Sequence, residues 1–391
     1  MFNHKRGFIL AAAVLLIAMP FKPTMAAEGQ TLNINAKANI LMEADTGQIL
    51  LEENAHAKLA PASVTKVMTI LLIYEALEQE RIKWDDIVTV SSHAASMGGS
   101  QIYLEPEEQQ TVRDLTKSVV IASANDAAVA MAEFIAGSEE GFVLMMNNRA
   151  KELGMLNTHF VNACGLDAPG HLTTAYDIAL MSRELITKHT DVLQYTKTWM
   201  DIITHKTARC ESEFGLTNTN RLIRNYTGAT GLKTGSTSQA QFCIAATSER
   251  DGMKLIAVVM AAPDPTIRFD SAMKMMDYGY ANFTVIAKEA TGTEVGEIKI
   301  CKGSVETAPV TVRKQTNVLA PKGKNVVVDS EVRILESLNA PVPKNTKAGE
   351  IIYTSEGKEI GRSDLVIADE IKKASAMDMM GRVMNRWLMK G

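Results

Sequence analysis

Pro61-Ala62-Ser63-Val64-Thr65-Lys66 runs straight into the apolar stretch Val67-Met68-Thr69-Ile70-Leu71-Leu72-Ile73. A helix this apolar has no polar face to give to water, so it must be buried nearly all round at the centre of a domain. A serine and a lysine three apart at its mouth lie on one face of the first turn. The serine hydroxyl is a weak nucleophile at its own pKa, and a neutral lysine within hydrogen-bond reach can take its proton. The backbone N–H of Ser63 also falls among the unpaired amides of a helix start, where an oxyanion is stabilised. Ser-x-x-Lys is a common string, so its companions decide what it means.

Two hairpin signals bracket this helix. Residues 38–44 and 48–52 flank Asp45-Thr46-Gly47, and 241–247 and 254–261 flank Arg250-Asp251-Gly252. Helical patterns fill the interval. Thr111 caps a helix through 120, with Asp114 at the capping-box position. Ala122-Ser123-Ala124-Asn125-Asp126 opens the next, over 127–135, and others run over 141–153, from Thr173-Thr174 to 186, and over 268–283. Residues 199–225 read as a mixture of short strands and loops. Terminal strands around a helical block predict an α+β domain, an antiparallel sheet flanked by helices.

From 284 the pattern changes to short β-rich runs separated by Gly, Pro and Asn turns, which predicts a small all-β domain over 284–368. Residues 369–391 return to a helical period. Met377, Met380, Val383, Met384, Trp387 and Leu388 share one face, and Asp378, Arg382 and Arg386 take the other. Such a helix packs on its own β domain or a partner, or it lies in a membrane interface. The expectation is an amphipathic membrane-anchoring helix, because the apolar stripe is otherwise exposed.

At the other end, Lys5 and Arg6 precede an apolar run over 7–19, and Thr24-Met25-Ala26 offers a small-residue cleavage site. The run is short for a membrane span, so residues 1–26 are expected to be an export signal and the chain to work outside the cytoplasmic membrane. A formal net charge of −4 with no extended basic patch points away from nucleic acid. Cys164, Cys210, Cys243 and Cys301 include no C-x-x-C pair, so no metal is expected; buried free thiols are the default reading. No cofactor is implied.

Three elements converge with the opening one: Ser63-x-x-Lys66, Ser123-Ala124-Asn125 and Lys233-Thr234-Gly235. The same trio, with Ser-Asp-Asn in the middle, marks class A β-lactamases and penicillin-binding proteins. Each member has a physical use. Ser63 attacks a carbonyl and Lys66 takes its proton, while Ser123 can pass that proton to the departing amine and Asn125 can hold the substrate amide. Lys233 supplies positive potential for a substrate carboxylate, Thr234 a further hydrogen bond, and Gly235 a close backbone approach. The N–H groups of Ser63 and Ser236 are the expected oxyanion hole, where loss of one donor typically costs about a hundredfold or more.

The match extends beyond the trio. Ser100-Gln101-Ile102-Tyr103-Leu104, Gly154-Met155-Leu156-Asn157-Thr158-His159-Phe160 and Thr230-Gly231-Leu232-Lys233-Thr234-Gly235 resemble the exported serine D-alanyl-D-alanine carboxypeptidases, the low-molecular-mass penicillin-binding proteins. Leu338-Asn339-Ala340-Pro341 and Asp364-Leu365-Val366 resemble that family's C-terminal β domain. The resemblance implies a penicillin-binding/β-lactamase-like domain over 27–283. It implies an acyl-enzyme on Ser63 that removes the terminal D-alanine from peptidoglycan peptide stems, and acylation by β-lactam antibiotics. Arg268 resembles the family arginine near the substrate carboxylate. Two departures are Ala124, where many relatives have Gly, and Ser236, where some have His. A class A β-lactamase would need a deacylating Glu-x-x-Leu-Asn string, and none lies between Asn125 and Lys233. A non-catalytic peptidoglycan binder is the other alternative. His159 and His171 are expected to be loop hydrogen-bonders.

Overall fold

The computed structural model describes residues 32–207, 211–323 and 326–381. The export segment expected at 1–26, Cys210, and residues 382–391 of the expected terminal helix lie outside the described residues.

The early strands Ala38–Glu43 and Ile49–Glu53 join Met253–Ala262, Gln241–Arg250 and Ala229–Thr237 in one five-stranded antiparallel sheet. The order puts Ala38–Glu43 beside Met253–Ala262 and leaves the strand carrying Lys233 at an edge. Both faces are buried, which is why the central strands read as unbroken apolar runs. Ile40, Met42, Ile256 and Val258 face the helical block, whereas Leu41, Leu255, Ala257 and Val259 face the closing helix Pro265–Asn282. Asp264 caps that helix, accepting from the N–H groups of Thr266 and Ile267.

Within the helical block, Lys66–Glu78 is the central helix, and Val67, Met68, Ile70, Leu71 and Ile73 are fully buried. Burying each such side chain contributes about 1.5–3 kcal/mol, so this one helix anchors the domain. Asn125–Ala136, Glu139–Glu152 and Ala175–Lys188 surround it. The expected helix from Thr111 ends earlier than read: an α segment over Val112–Lys117 widens into a π turn over Ser118–Ala122. Residues 199–225 resolve into a hairpin, Met200–Lys206 against Glu211–Thr217, and a short helix, Leu222–Asn225.

The C-terminal β domain has its own core, including Val310, Tyr353 and Leu365, beneath a six-stranded sheet. It meets the first domain through Phe283–Ala287, which leaves the closing helix and pairs with Asn317–Pro321. Asn317 Nδ2 donates to Asp45 Oδ2 at 3.1 Å, and Leu319 packs into the core under the closing helix. The terminal helix starts later than the expected 369. Ile371 pairs with Val342 and Lys373 with Gly303, and among the described residues the helix begins at 376. Ile371 is buried in the β core, so the chain stays extended until that contact is complete.

Candidate active site

Ser63 does not sit in the α-helix but in the 3₁₀ turn Ala62–Thr65 that leads into it. In a 3₁₀ turn positions i and i+3 eclipse, which stacks Lys66 over Ser63 more closely than an α turn does. Lys66 Nζ donates to Ser63 Oγ at 3.1 Å, Asn125 Oδ1 at 2.5 Å and the Cys164 carbonyl at 2.7 Å. The lysine is fully buried, and burial pulls its pKa down to about 8. Ser63 itself is half-buried.

The middle motif is built on strained backbone. The π turn ends at Ser123 with φ +61°, a left-handed conformation uncommon for a side-chain-bearing residue and typical of functional sites. Asn125 follows as the first residue of its helix, with its amide donating to Gly98 O at 2.6 Å and its backbone N–H to Ser100 O at 2.7 Å. Asp126 is buried and accepts from the N–H groups of Ile102, Leu104 and Ala127, so it holds segment 100–104 beside the site. Burial raises its pKa, partly opposed by those N–H groups.

The third motif lies on the sheet edge. An ideal Cβ on Gly235 would come 2.7 Å from Ser63 N and 2.9 Å from Val64 N, so only glycine lets the strand press against the serine turn. Lys233 is buried, and burial, then Lys66 and Arg268, hold its pKa well below normal. Thr234 Oγ1 donates to Thr219 Oγ1 at 2.7 Å, and Ser236 is exposed at the mouth. Arg268 Nη1 reaches the carbonyls of Gly235 and Cys243 at 3.2 and 3.3 Å. Burial, opposed by the Cys243 thiol and reinforced by Arg221, brings its pKa to about 10.

Ser63, Lys66 and Asn125 are therefore directly linked, Gly235 is packed against them, and Arg268 braces Gly235. Ser123 is buried two residues from Asn125. Sequence reasoning missed the loop that completes the lysine's environment. Asn162 Oδ1 accepts from Gly165 N at 2.6 Å, a tight turn that aims the Cys164 carbonyl at Lys66. Gly165, at φ +89°, lies so close that a Cβ would fall 1.9 Å from Ala62 O. Asp167 in the same loop accepts from Thr237 Oγ1 at 2.6 Å and ties the far end of the Lys233 strand. The only signal in the sequence was an Asn-x-x-Gly turn, which many loops share. His171 accepts from Val161 N at 3.0 Å through Nδ1 and meets Thr65 Oγ1 at 2.8 Å through Nε2, a supporting hydrogen-bonder as read.

A half-buried serine on a fully buried lysine against a sheet edge, with an αL serine between two helices, defines a serine acyl-transfer enzyme of the penicillin-binding type. The chain belongs to the D-alanyl-D-alanine carboxypeptidase family, which residues 24–264 match, while residues 280–373 match the C-terminal domain of penicillin-binding protein 5. It is 40% identical over 353 residues to D-alanyl-D-alanine carboxypeptidase DacF of Bacillus subtilis, covering 90% of each chain. It is 33% identical to DacC of Escherichia coli, covering 98% of this chain and 96% of that one. Among solved structures, penicillin-binding protein 5 from Haemophilus influenzae superposes with a TM-score of 0.70 at 29% identity, over 88% of this chain and all of that one.

Proposed function

We propose that this protein is a serine D-alanyl-D-alanine carboxypeptidase that uses Ser63 as nucleophile and Lys66 as its base. The observation that carries the reading is the set of three acceptors around Lys66 Nζ. A charged ammonium has three protons and satisfies all three, whereas a neutral amine has two protons and one lone pair. Asn125 and Cys164 offer only acceptor oxygens at the shorter distances, so they keep the two protons and the lone pair turns to Ser63 Oγ. Loss of one proton thus converts Lys66 into a correctly aimed base, and burial makes that loss accessible near neutral pH.

Attack by Ser63 Oγ on the carbonyl of the penultimate D-alanine forms the tetrahedral adduct between the Ser63 and Ser236 N–H groups. Ser123 delivers a proton to the departing amine, D-alanine leaves, and water releases the peptide from Ser63. Asn125 holds the substrate amide. Lys233, Thr234, Gly235, Ser236 and Arg268 bind the chain end, where buried cations favour a free carboxylate. Peptidoglycan pentapeptide stems fit this pattern, and a penicillin acylates the same serine. Residues 1–26 are read as the export signal, 27–283 as the catalytic domain, 284–368 as a β spacer, and the chain from 376 onward as a helix that rests on the outer face of the cytoplasmic membrane. The exposure of Met377, Met379 and Met380 supports that last assignment.

The test pairs two measurements. Labelled penicillin should attach to native protein, and Ser63→Ala should abolish both that label and the release of D-alanine from a pentapeptide. Release of D-alanine by Ser63→Ala would end the mechanism. Peptidoglycan binding by native protein that takes no label would favour a silent binder.

A further inference from the structure

The mechanism accounts for Lys66, Lys233 and Arg268 but leaves two nearby cations without a task. Residues 219–225 run along the Lys233 strand and are fixed to it. Thr219 Oγ1 accepts from Thr234, Asn220 Nδ2 donates to Gly231 O at 2.8 Å, and Leu222 is buried in the core under the closing helix. From this segment Arg221 and Arg224, both exposed, line a cleft of about 190 Å³ with Trp199 and Asn225. The Arg224 guanidinium lies 5.2 Å from the centroid of the Trp199 ring. Among the described residues the arginines in ion pairs are Arg113, Arg149, Arg250, Arg333 and Arg362, so neither lining arginine has a carboxylate partner. Two like charges three residues apart repel, and Arg221 adds to the charge already at Arg268. An anion in the cleft relieves both.

The cleft's position fixes which part of a substrate reaches it. Thr234 and Arg268 belong to the pocket for the substrate's terminal carboxylate, and Thr219 is the contact that joins that pocket to the arginine segment. The cleft therefore lies beyond the chain end, on the leaving side of the scissile bond. We propose that it receives a second carboxylate, carried by the leaving residue, and so favours peptides whose departing group is acidic. This rests on the carboxypeptidase reading above.

The test uses three diacetyl-L-lysyl-D-alanyl peptides, ending in D-alanine, D-glutamate or D-glutamine. The last two differ only in the charge that the cleft would read. Native enzyme should cleave the D-glutamate peptide with a kcat/KM about fivefold above the D-glutamine peptide, chiefly through KM, as one exposed guanidinium–carboxylate contact allows. High salt should erase the difference. Arg221→Gln/Arg224→Gln should bring the ratio to one at an unchanged melting temperature, and Arg221→Lys/Arg224→Lys should retain part of it. A native ratio of one, or a ratio that survives the double glutamine variant, overturns the proposal. A native enzyme that fails to release D-alanine from the first peptide overturns the carboxypeptidase reading itself, and with it this inference.

Discussion

Lys66 and His171 are both buried bases, and each sets a different pH limit on the molecule. With its pKa brought to about 8 by burial, Lys66 is mostly charged at pH 7. Acylation by penicillin should therefore climb about tenfold per pH unit below that value and level off above it. Lys66→Arg, which cannot lose its proton in this range, should abolish the label at every pH. His171 works in the opposite direction. Burial, reinforced by His159, holds its pKa at about 4, and Nδ1 already accepts from Val161 N–H, leaving no room for a second proton there. The unfolded chain binds that proton near pH 6.5, so the stability this site provides is complete above 6.5 and is lost as pH falls toward 4. The loss amounts to about 3 kcal/mol at most. Urea unfolding at pH 7 and pH 4.5 should show it in native protein and show it reduced in His171→Gln. The role read for the lysine was legible in the sequence, whereas that of His171 in the pH dependence of stability was not. Ser63, Lys66, Ser123 and Asn125 announce themselves by type and spacing, but a histidine in a loop carries no mark of its tautomer.

Elements carry the parts of the site that residue types could not announce. Cys164 contributes only a carbonyl, Gly165 only the absence of a side chain, and any residue has a carbonyl to offer. Their value comes from a contact roughly a hundred residues distant in sequence, which no local period encodes. The strand and the loop both press on the serine turn, so two glycines should be intolerant for the same reason. Gly165→Ala places a Cβ against Ala62 O on a left-handed backbone, and Gly235→Ala drives the strand from Ser63 N. Each should cost about 1–3 kcal/mol in stability, read by urea unfolding, with Gly165→Ala the larger. Penicillin acylation of folded Gly235→Ala should fall by a hundredfold or so, since the serine turn and Ser236 no longer stand together. The hairpin Met200–Lys206/Glu211–Thr217, read only as mixed strands and loops, docks through a buried pair. His205 Nδ1 meets Glu108 Oε1 at 2.7 Å, and Gln110 and the Glu105 N–H complete the carboxylate's partners. Burial alone would raise the Glu108 pKa, but those three partners hold it below normal, and Glu108 in turn raises that of His205. Glu108→Gln should loosen the hairpin and destabilise the protein by about 3 kcal/mol, which a thermal melt would register.

At the scale of the molecule, the α+β domain and the β domain were legible because each has its own period and its own core. The start of the terminal helix was not, because Ile371 is claimed by the β core and no helical period records that competition. A chain ending at Ser375 keeps this contact. It should take penicillin label at the native rate while losing the binding to anionic lipid vesicles expected of the full chain. The sheet has a consequence of another kind. Its strands come from the first and last parts of the catalytic domain, with Ala38–Glu43 paired to Met253–Ala262. A chain emerging from the ribosome exposes Ser63 and Lys66 early, but Gly235 and the strand that carries it arrive some 170 residues later. Contacts this distant in sequence form slowly, because a long loop must close before they reward it. The surroundings of Ser63 are thus completed late, and a growing chain should not be trapped by a β-lactam before the first domain, which ends with the closing helix at Asn282, has been made.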